Sequence, residues 1–552
     1  MRLLLLFWVS TFSLAFLGKI GAQDVQGFGK KENYNVHGGL NLGINFYQAV
    51  AGPSRYAPFG FTANGNLQVQ LGAIHIPIQL SYNNLQGSLS RPFQQYGASP
   101  YYKWVKLHLG YRSLNFSPYV YAGRTFRGVG IELTPGKFSM IAFKGTLRNL
   151  FSVQDTIVNG AVVLPSFDRS ILGAKVGFGK QNKFELSAVK VTDEDSALPN
   201  SNLKPQDNLV LGAALKFKVF KVLQLQANAA SSLFTSDTRI ENPESLSEQL
   251  SQFNGVHQIN VSSRLSFASD AALTYSKKKF TIGAKYKRIN PYYYSLATNF
   301  MQNDIENYTL NSSVGLLKQK LRLRASAGVQ RDNLRRQKAY TSNRIIGSAT
   351  ATYMPSKKLN LLFRYANYQH ENTSGLAIIN DTVKILTTMN TFQFNTNYKY
   401  FSNSAVNASL NLNIFNNTQV DESAISDRGF NGTGINTSLP FDLVRIGMTI
   451  SPTFYYNQYR FSDFSQGRIG TGVTLSKKFL KQKISTGLTA LFSQNQYNSK
   501  GNGNLFNASL SVNYKISKTN SISLRLYYFD NQTILSNDVK EFRGNVSVAF
   551  RL

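Results

Sequence analysis

Apolar and polar residues alternate along many segments of this chain. Between 406 and 414, Asn or Ser separates the apolar residues Val406, Ala408, Leu410, Leu412 and Ile414. The segment 506–514 has the same alternation. A period of two places one set of side chains on each face of a β-sheet. Repeated strands with one apolar face and one amide- or hydroxyl-bearing face predict a sheet closed into a membrane barrel, with lipid outside and a polar lumen inside.

Short connections, most of them bearing lysine, alternate with longer polar ones. The short ones include 134–137, 180–183 and 276–279, and the longer ones include 236–257 and 417–429. Successive short turns are often about 40 residues apart, the length of two strands and a loop. The sequence therefore predicts an all-β fold, a single transmembrane antiparallel β-barrel of about 24 strands (20–26). Short turns at one rim are typical of the periplasmic side of such barrels.

The first residues have the pattern of an export signal. Arg2 precedes an apolar stretch that Lys19 ends, and small residues follow at Gly21-Ala22. The apolar run is shorter than the ~18 residues that span a bilayer, which argues against the alternative of a transmembrane anchor. The predicted organisation is a cleaved signal peptide at 1–22, an N-terminal periplasmic segment at 23–33 and a barrel at 34–552. The predicted location is the outer membrane of a Gram-negative cell.

One segment, Asn115–Phe126, disrupts the strand count. Strand patterns flank it at Tyr101–Tyr111 and Arg127–Leu133, and two full crossings there would put the Pro135-Gly136 turn at the wrong rim. Two interpretations are open. The segment folds into the lumen as an insert at 115–126, since its proline, glycine and polar backbone do not suit lipid. Alternatively, a bulge or an extra hairpin causes a miscount. The first interpretation predicts a constriction formed by Tyr119, Tyr121, Arg124 and Phe126.

The chain is strongly basic, with 60 Lys and Arg against 28 Asp and Glu. Basic residues recur on the polar face of the predicted strands, where we expect them to line the lumen: Lys216, Lys218, Lys285, Lys287, Arg322, Arg324, Lys399, Lys515 and Arg525. A base facing lipid costs ~2–4 kcal/mol at the bilayer midplane, so these side chains should point inward and favour anions. The alternative is that they pair with acids, or lie near the rim and contact lipid phosphate.

Candidate chemistry is sparse. The chain has no cysteine and five histidines, none of them at metal-ligand spacing. The glycines of 467–472 open an alternating strand, which does not suit a dinucleotide loop. We therefore predict no catalytic residue, metal site or cofactor, and no enzymatic activity. Aromatic residues near strand ends, such as Tyr292–Tyr294 and Tyr455-Tyr456, suggest interfacial girdles, with a sugar-stacking platform as the alternative.

Several stretches resemble a Bacteroidota-type family of outer-membrane β-barrels, most of them uncharacterised. The stretches are Leu109–Arg112 with Asn115–Tyr119, Ala122–Phe126, Gly130–Leu133 with Pro135–Lys137, Glu306–Asn311 and Gln330–Leu334. The resemblance implies the fold and the location but no established activity.

Two functions follow from these patterns. The first is a porin-like or gated transport conduit with a basic lumen. The second is a non-conducting barrel component of an outer-membrane secretion or assembly complex. The expected partners are outer-membrane lipid, anionic solutes and other outer-membrane or periplasmic proteins. Nucleic acid is not expected, because an exported chain rarely meets it.

Overall fold

The structure, a computed structural model, describes residues 34–84, 95–148, 156–158, 161–163, 166–194, 203–242, 257–299, 301–338, 340–374, 385–421, 429–534 and 538–551. The predicted signal peptide (1–22) and N-terminal segment (23–33) lie outside these residues. Among the described residues, no helix has the length and hydropathy needed to cross a membrane.

The main element is a 26-stranded antiparallel sheet. Its strands are β1 Tyr34–Ala51, β2 Phe59–Leu71, β3 Ile74–Asn83, β4 Gln95–Ala98 with Tyr101–Tyr102, β5 Val105–Arg112, β6 Phe126–Leu133, β7 Phe138–Arg148, β8 Asp168–Phe178, β9 Lys183–Glu194, β10 Asp207–Val219, β11 Leu223–Thr235, β12 Ser263–Lys277, β13 Phe280–Ile289, β14 Ile305–Leu316, β15 Leu321–Asp332, β16 Tyr340–Ser356, β17 Leu359–Ser374, β18 Ile385–Ser402, β19 Val406–Asp421, β20 Phe430–Ser438 with Phe441–Leu443, β21 Met448–Phe461, β22 Ser465–Phe479, β23 Ile484–Tyr497, β24 Lys500–Lys515, β25 Ser521–Asn531 and β26 Val539–Arg551.

The sheet closes on itself. The first strand pairs antiparallel with the last over a long register that includes Leu42 opposite Val548. Strands β4 and β20 are each interrupted, but both parts pair with the same neighbours. The closed register confirms the predicted all-β antiparallel barrel, and 26 strands lie at the upper end of the predicted range. A separate hairpin, Thr156–Val158 with Ala161–Val163, lies in the β7–β8 connection.

The two rims differ in the length of their connections. Every even-numbered strand joins the next odd-numbered strand through two to five residues, and these short turns share one rim. Several use left-handed backbone at non-glycine positions, including Phe220, Lys278 and Lys318. Most connections at the other rim are longer, up to 236–262 between β11 and β12. We call the two ends the short-turn rim and the long-loop rim.

The miscount in the sequence has a specific cause. Tyr101–Tyr111, predicted as one strand, is the end of β4, a tight turn at Lys103-Trp104 and most of β5. Lys103 adopts φ 51°, the left-handed conformation that lets the chain reverse within two residues. This extra hairpin returns the Pro135-Gly136 turn to the short-turn rim. The single-strand prediction for Tyr101–Tyr111 is therefore wrong.

Alternation along the strands produces two different barrel surfaces. On β10, Leu211, Leu215 and Phe217 are exposed on the outer face, while Val210 and Gly212 are buried on the inner face. The pairing register carries the outer face around the barrel through exposed apolar side chains such as Leu186, Phe267, Leu310, Ile435, Leu488 and Phe492. An apolar surface of this extent is unfavourable in water and suits a lipid environment.

Candidate functional site: the inner wall and its plug

The nine basic residues singled out from the sequence share the inner face. On β10, Lys216 and Lys218 follow Val210 and Gly212 at even positions. The register then places the other candidates on the same face, for example Lys287 opposite Asp270. All are exposed except Lys287, which is half-buried. Exposed side chains on the inner face indicate that this part of the lumen is open to water.

Few of these bases are neutralised by acids. Lys285 Nζ lies 3.6 Å from Asp270 Oδ2. Within the described part of the chain, no carboxylate lies within 4.0 Å of the other eight basic groups. By contrast, other inner bases are paired, as in the bridges of Lys175 and Lys183 to Glu185. Among the described residues, no acid balances the charge of these eight groups.

The unpaired bases are concentrated towards one end of the barrel. Seven of the nine candidates lie within four residues of a strand end at the short-turn rim: Lys216, Lys218, Arg322, Arg324, Lys399, Lys515 and Arg525. Lys285 and Lys287 lie further along β13. This distribution places a belt of positive charge on the inner wall near the short-turn rim.

Two of these bases share a cavity. Lys285 and Arg324 line an inner-wall recess of about 430 Å³. The recess is also lined by the inward methyl of Ala272 and by hydroxyls and an amide, including Asn311, Ser313, Ser326 and Thr350. Ammonium, guanidinium and hydroxyl groups all donate hydrogen bonds. The recess is therefore chemically suited to an anionic oxygen-bearing group.

The segment predicted to enter the lumen lies against the inner wall. Tyr119, Tyr121 and Phe126 are almost fully buried, and Val120 is fully buried. An ideal Cβ built on Gly212 would lie 2.3 Å from Val120 Cγ2, so the absence of a side chain at Gly212 makes room for Val120. Because Gly212 belongs to the inner face of β10, the segment is packed inside the barrel.

Sequence reasoning missed a second inward loop. The β13–β14 connection meets the β5–β6 connection through a parallel bridge between Ala122 and Thr298. Arg124 Nε donates to Thr298 O at 2.5 Å. Tyr293 Oη donates to Tyr119 O at 3.0 Å, and Ser295 Oγ donates to Val120 O at 2.9 Å. We call residues 113–125 and 290–299 together the two-loop plug.

The two-loop plug has an apolar core of its own with the wall. Its buried side chains pack against inward residues of successive strands from β7 to β14: Phe143, Ile171, Val189, Val191, Val210, Ala230, Ala268, Ile289 and Ile305. Polar contacts fix its position, because Asn208 Oδ1 accepts from Leu296 N at 3.0 Å and Ser266 Oγ donates to Pro291 O at 2.8 Å. The plug is thus packed against eight successive strands, about a third of the barrel wall.

Burial also keeps the plug phenols uncharged. The pKa values of Tyr119, Tyr121 and Tyr293 are all raised above the ordinary tyrosine value, chiefly because burial disfavours the phenolate. For Tyr119, the nearby Asp270 carboxylate raises the pKa further. The phenols therefore stay protonated around neutral pH.

Arg124, the fourth predicted constriction residue, is hydrogen-bonded to Thr298 O of the second loop.

A threonine, a histidine and an aspartate lie together near the long-loop rim. His257 Nε2 lies 3.0 Å from Thr235 Oγ1, and Nδ1 lies 3.1 Å from Asp207 Oδ2. Lys190 Nζ lies 2.9 Å from the same Nδ1. Burial lowers the pKa of His257 despite the opposing effect of the Asp207 carboxylate, and Lys190 lowers it further, so the ring is neutral at pH 7. Thr235 is fully buried, and the geometry holds the 257 loop against the strand ends without exposing a nucleophile.

Metal-binding side chains do not converge in the described part of the chain. No group of three or more His, Cys, Asp or Glu residues there has an arrangement that could hold a metal ion.

The aromatic residues divide between the faces. Tyr455, expected in an interfacial girdle, faces inward, and its ring atom Cζ lies 2.5 Å from an ideal Cβ built on Gly470. Its neighbour Tyr456 takes the outer face. Tyr293, also expected in a girdle, is buried in the two-loop plug. A girdle is therefore the wrong prediction for Tyr293 and Tyr455.

Comparison with known proteins gives structural matches only. No protein-family model matches the chain, and no curated protein matches it. The structural matches include the P pilus usher (PapC) translocation pore, at 11% identity, covering 94% of this chain and 99% of that one, with a TM-score of 0.37. The copper transporter OprC matches at 8% identity over 94% of this chain and 81% of that one, with a TM-score of 0.41. OccAB4 of Acinetobacter baumannii matches at 12% identity over 70% and 99%, with a TM-score of 0.29.

Proposed function

We propose that this chain is a transport conduit of the Gram-negative outer membrane whose basic lumen favours anionic solutes. The observation that carries the proposal is the set of eight inner-wall bases without a carboxylate within 4.0 Å among the described residues. A pore lined by one sign of charge attracts ions of the opposite sign and repels those of the same sign.

The outer surface supports membrane insertion. Exposed leucine, isoleucine and phenylalanine side chains follow the register around the barrel. In the described part of the chain, closure pairs the first and last strands of the 26-stranded sheet, as a lipid environment requires of a sheet. By analogy with barrels of this kind, the short turns face the periplasm and the long-loop rim faces outward.

The two-loop plug is proposed to narrow the conduit without closing it. Its apolar contacts lie on the strands from β7 to β14, on one side of a 26-stranded wall. Most of the unpaired bases lie elsewhere, on strands such as β15, β18, β24 and β25. We infer that solute passes beside the plug along the basic wall.

The experiment is a reversal-potential measurement on the purified protein in planar bilayers under a salt gradient. Replacing Arg322→Glu and Arg324→Glu together should shift the reversal potential towards cation preference, because both side chains face the lumen. The matched control is Lys357→Glu with Lys358→Glu, which makes the same charge change in the short β16–β17 turn. An equal reversal potential in wild-type and Arg322→Glu/Arg324→Glu channels would contradict the basic-lumen proposal.

A further inference from the structure

Aromatic rings and amides gather on the inner wall from β20 to β25, near the long-loop rim. Tyr459, Phe461 and Tyr497 all occupy inward positions by register. Among them lie Asn457, Gln466, Arg468, Asn495 and Asn531. These side chains surround a recess of about 420 Å³, within the size range of small-ligand sites.

Glycines let rings lie flat on this wall. An ideal Cβ built on Gly432 would lie 2.6 Å from Tyr459 Cδ1, so the ring occupies space that any other residue would need. The plainest role for such a ring is to cover the bare backbone of the neighbouring strand. Flat placement also leaves the other face of the ring turned to the lumen, and Tyr459 is exposed.

Further rings form a near-parallel series at the rim. Phe461 and Phe464 stack with centroids 4.5 Å apart and planes 20° apart. Phe464 and Tyr497 follow at 5.8 Å and 17°. Phe430 flanks the series, 6.0 Å from Phe461. These rings provide an apolar surface beside the polar recess.

The polar groups of the recess are partly occupied by one another. Arg468 Nε donates to Asn495 Oδ1 at 2.9 Å, and Asn495 Nδ2 donates to Asn531 Oδ1 at 3.1 Å. Asn495 is buried, so this series of hydrogen bonds is fixed in place. The buried Asn457 Oδ1 has no hydrogen-bond partner among the described residues. This oxygen lies 2.3 Å from an ideal Cβ built on Gly434, so it packs against the neighbouring strand, and the ligand-facing polar groups are the other amides and Arg468.

We propose that this recess, defined by Asn457, Tyr459, Gln466, Arg468, Asn495 and Tyr497, binds a unit of a neutral oligosaccharide. A sugar ring has an apolar C–H face that packs on aromatic rings and hydroxyls that both donate and accept hydrogen bonds. Amides supply both functions, and the guanidinium adds donors. Among the residues that the structure describes, Arg468 is the only base that lines the recess, and no carboxylate lines it. A neutral ligand therefore fits better than an anion here, in contrast to the Lys285–Arg324 recess.

The test is isothermal titration calorimetry on the full-length protein in detergent. The three neutral probes are maltohexaose, cellohexaose and xylohexaose. Binding in detergent needs no ion conduction, so its failure is distinct from failure of the proposed conduit. We expect saturable binding of at least one probe. Tyr459→Leu and Arg468→Gln should each weaken it about tenfold, the loss of one contact worth about 1.4 kcal/mol. Tyr497→Leu provides a second ring variant if Tyr459→Leu does not fold.

The matched controls are Tyr527→Leu and Arg364→Gln. Tyr527 is an exposed inward ring on β25 that does not line the recess, and Arg364 is an inward base on β17. Both variants should bind as the wild type does. The proposal is overturned if none of the three probes binds saturably, or if ring and arginine variants that fold retain wild-type affinity. Displacement of the bound probe by inorganic phosphate would also overturn it, by showing an anion site.

Discussion

At the residue scale, single positions decide whether the wall can carry the plug. Gly212 admits Val120, and Asn208 receives the second loop through Leu296 N. Neither contact is local in sequence. Val120 lies in the β5–β6 connection and Leu296 in the β13–β14 connection, whereas Gly212 and Asn208 both lie on β10. The inner wall thus has specific residues that accept the plug. The exposed bases lie on the same face of the sheet.

Replacing Gly212→Val should loosen the plug without opening the barrel. The new side chain would collide with Val120, whose Cγ2 is 2.3 Å from the ideal Cβ position. We expect protease cleavage within 113–125 to become faster and single-channel conductance to rise. Gly347→Val is the matched control, since no atom lies within 4 Å of a Cβ there. Equal cleavage rates in the two variants would mean that Val120 does not anchor the plug.

At the element scale, the alternation of residues predicts most of what the structure contains. Strands such as β19 and β24, and the turns at 180–183 and 276–279, follow directly from the period of two and the lysine turns. An extra hairpin was one of the two interpretations of the disrupted strand count, but its position at Lys103-Trp104 could not be predicted, because a two-residue turn of bulky residues lacks the usual turn signals. The loop around Tyr293 was missed because its partners, Asn208, Ser266 and Tyr119, are distant in sequence.

For the nine basic candidates, the sequence predicts the face of the sheet but not the ion pairs. Alternation predicts that all nine share one face of the sheet, since a strand offers only two faces. It could not show which bases meet an acid, because that depends on the register between strands. Lys285 meets Asp270 across β12 and β13, whereas Arg322 lies opposite Thr352 and Gly315.

Deleting both plug loops should leave a folded barrel. Arg112 pairs with Phe126 and Ile289 pairs with Ile305, so a short glycine–serine turn can join each strand pair after removal of 114–124 and 291–303. We expect a heat-modifiable band on electrophoresis, a lower melting temperature from exposure of the apolar wall, and a larger conductance. A control deletion of 114–124 alone should give an intermediate conductance. A folded double deletion with unchanged conductance would show that the plug does not narrow the solute path.

At the scale of the whole molecule, the barrel combines an apolar outer face, an inner wall that carries unpaired bases and two unlike rims. The long-loop rim includes the connection 236–262, and the short-turn rim includes the lysine turns. Most unpaired bases lie towards the short-turn rim, and the proposed saccharide recess lies towards the other. The orientation in the membrane therefore determines which chemistry a solute meets first.

Cysteine labelling on intact cells tests that orientation. The sequence contains no cysteine, so every label reports the introduced residue. Glu241→Cys, in the long β11–β12 connection, should react with an impermeant maleimide. Lys358→Cys, in the β16–β17 turn, should react only after the outer membrane is permeabilised. Labelling of Lys358→Cys alone on intact cells would reverse the proposed orientation.

The most direct test of the central claim is the reversal potential of the wild-type protein in a planar bilayer with a tenfold potassium chloride gradient. The proposed conduit predicts a conducting channel with chloride more permeant than potassium. The preference should weaken near 1 M salt, where the Debye length falls to about 3 Å and the wall charge is screened. A channel that prefers potassium, or a purified folded barrel that conducts no ions, would contradict the account.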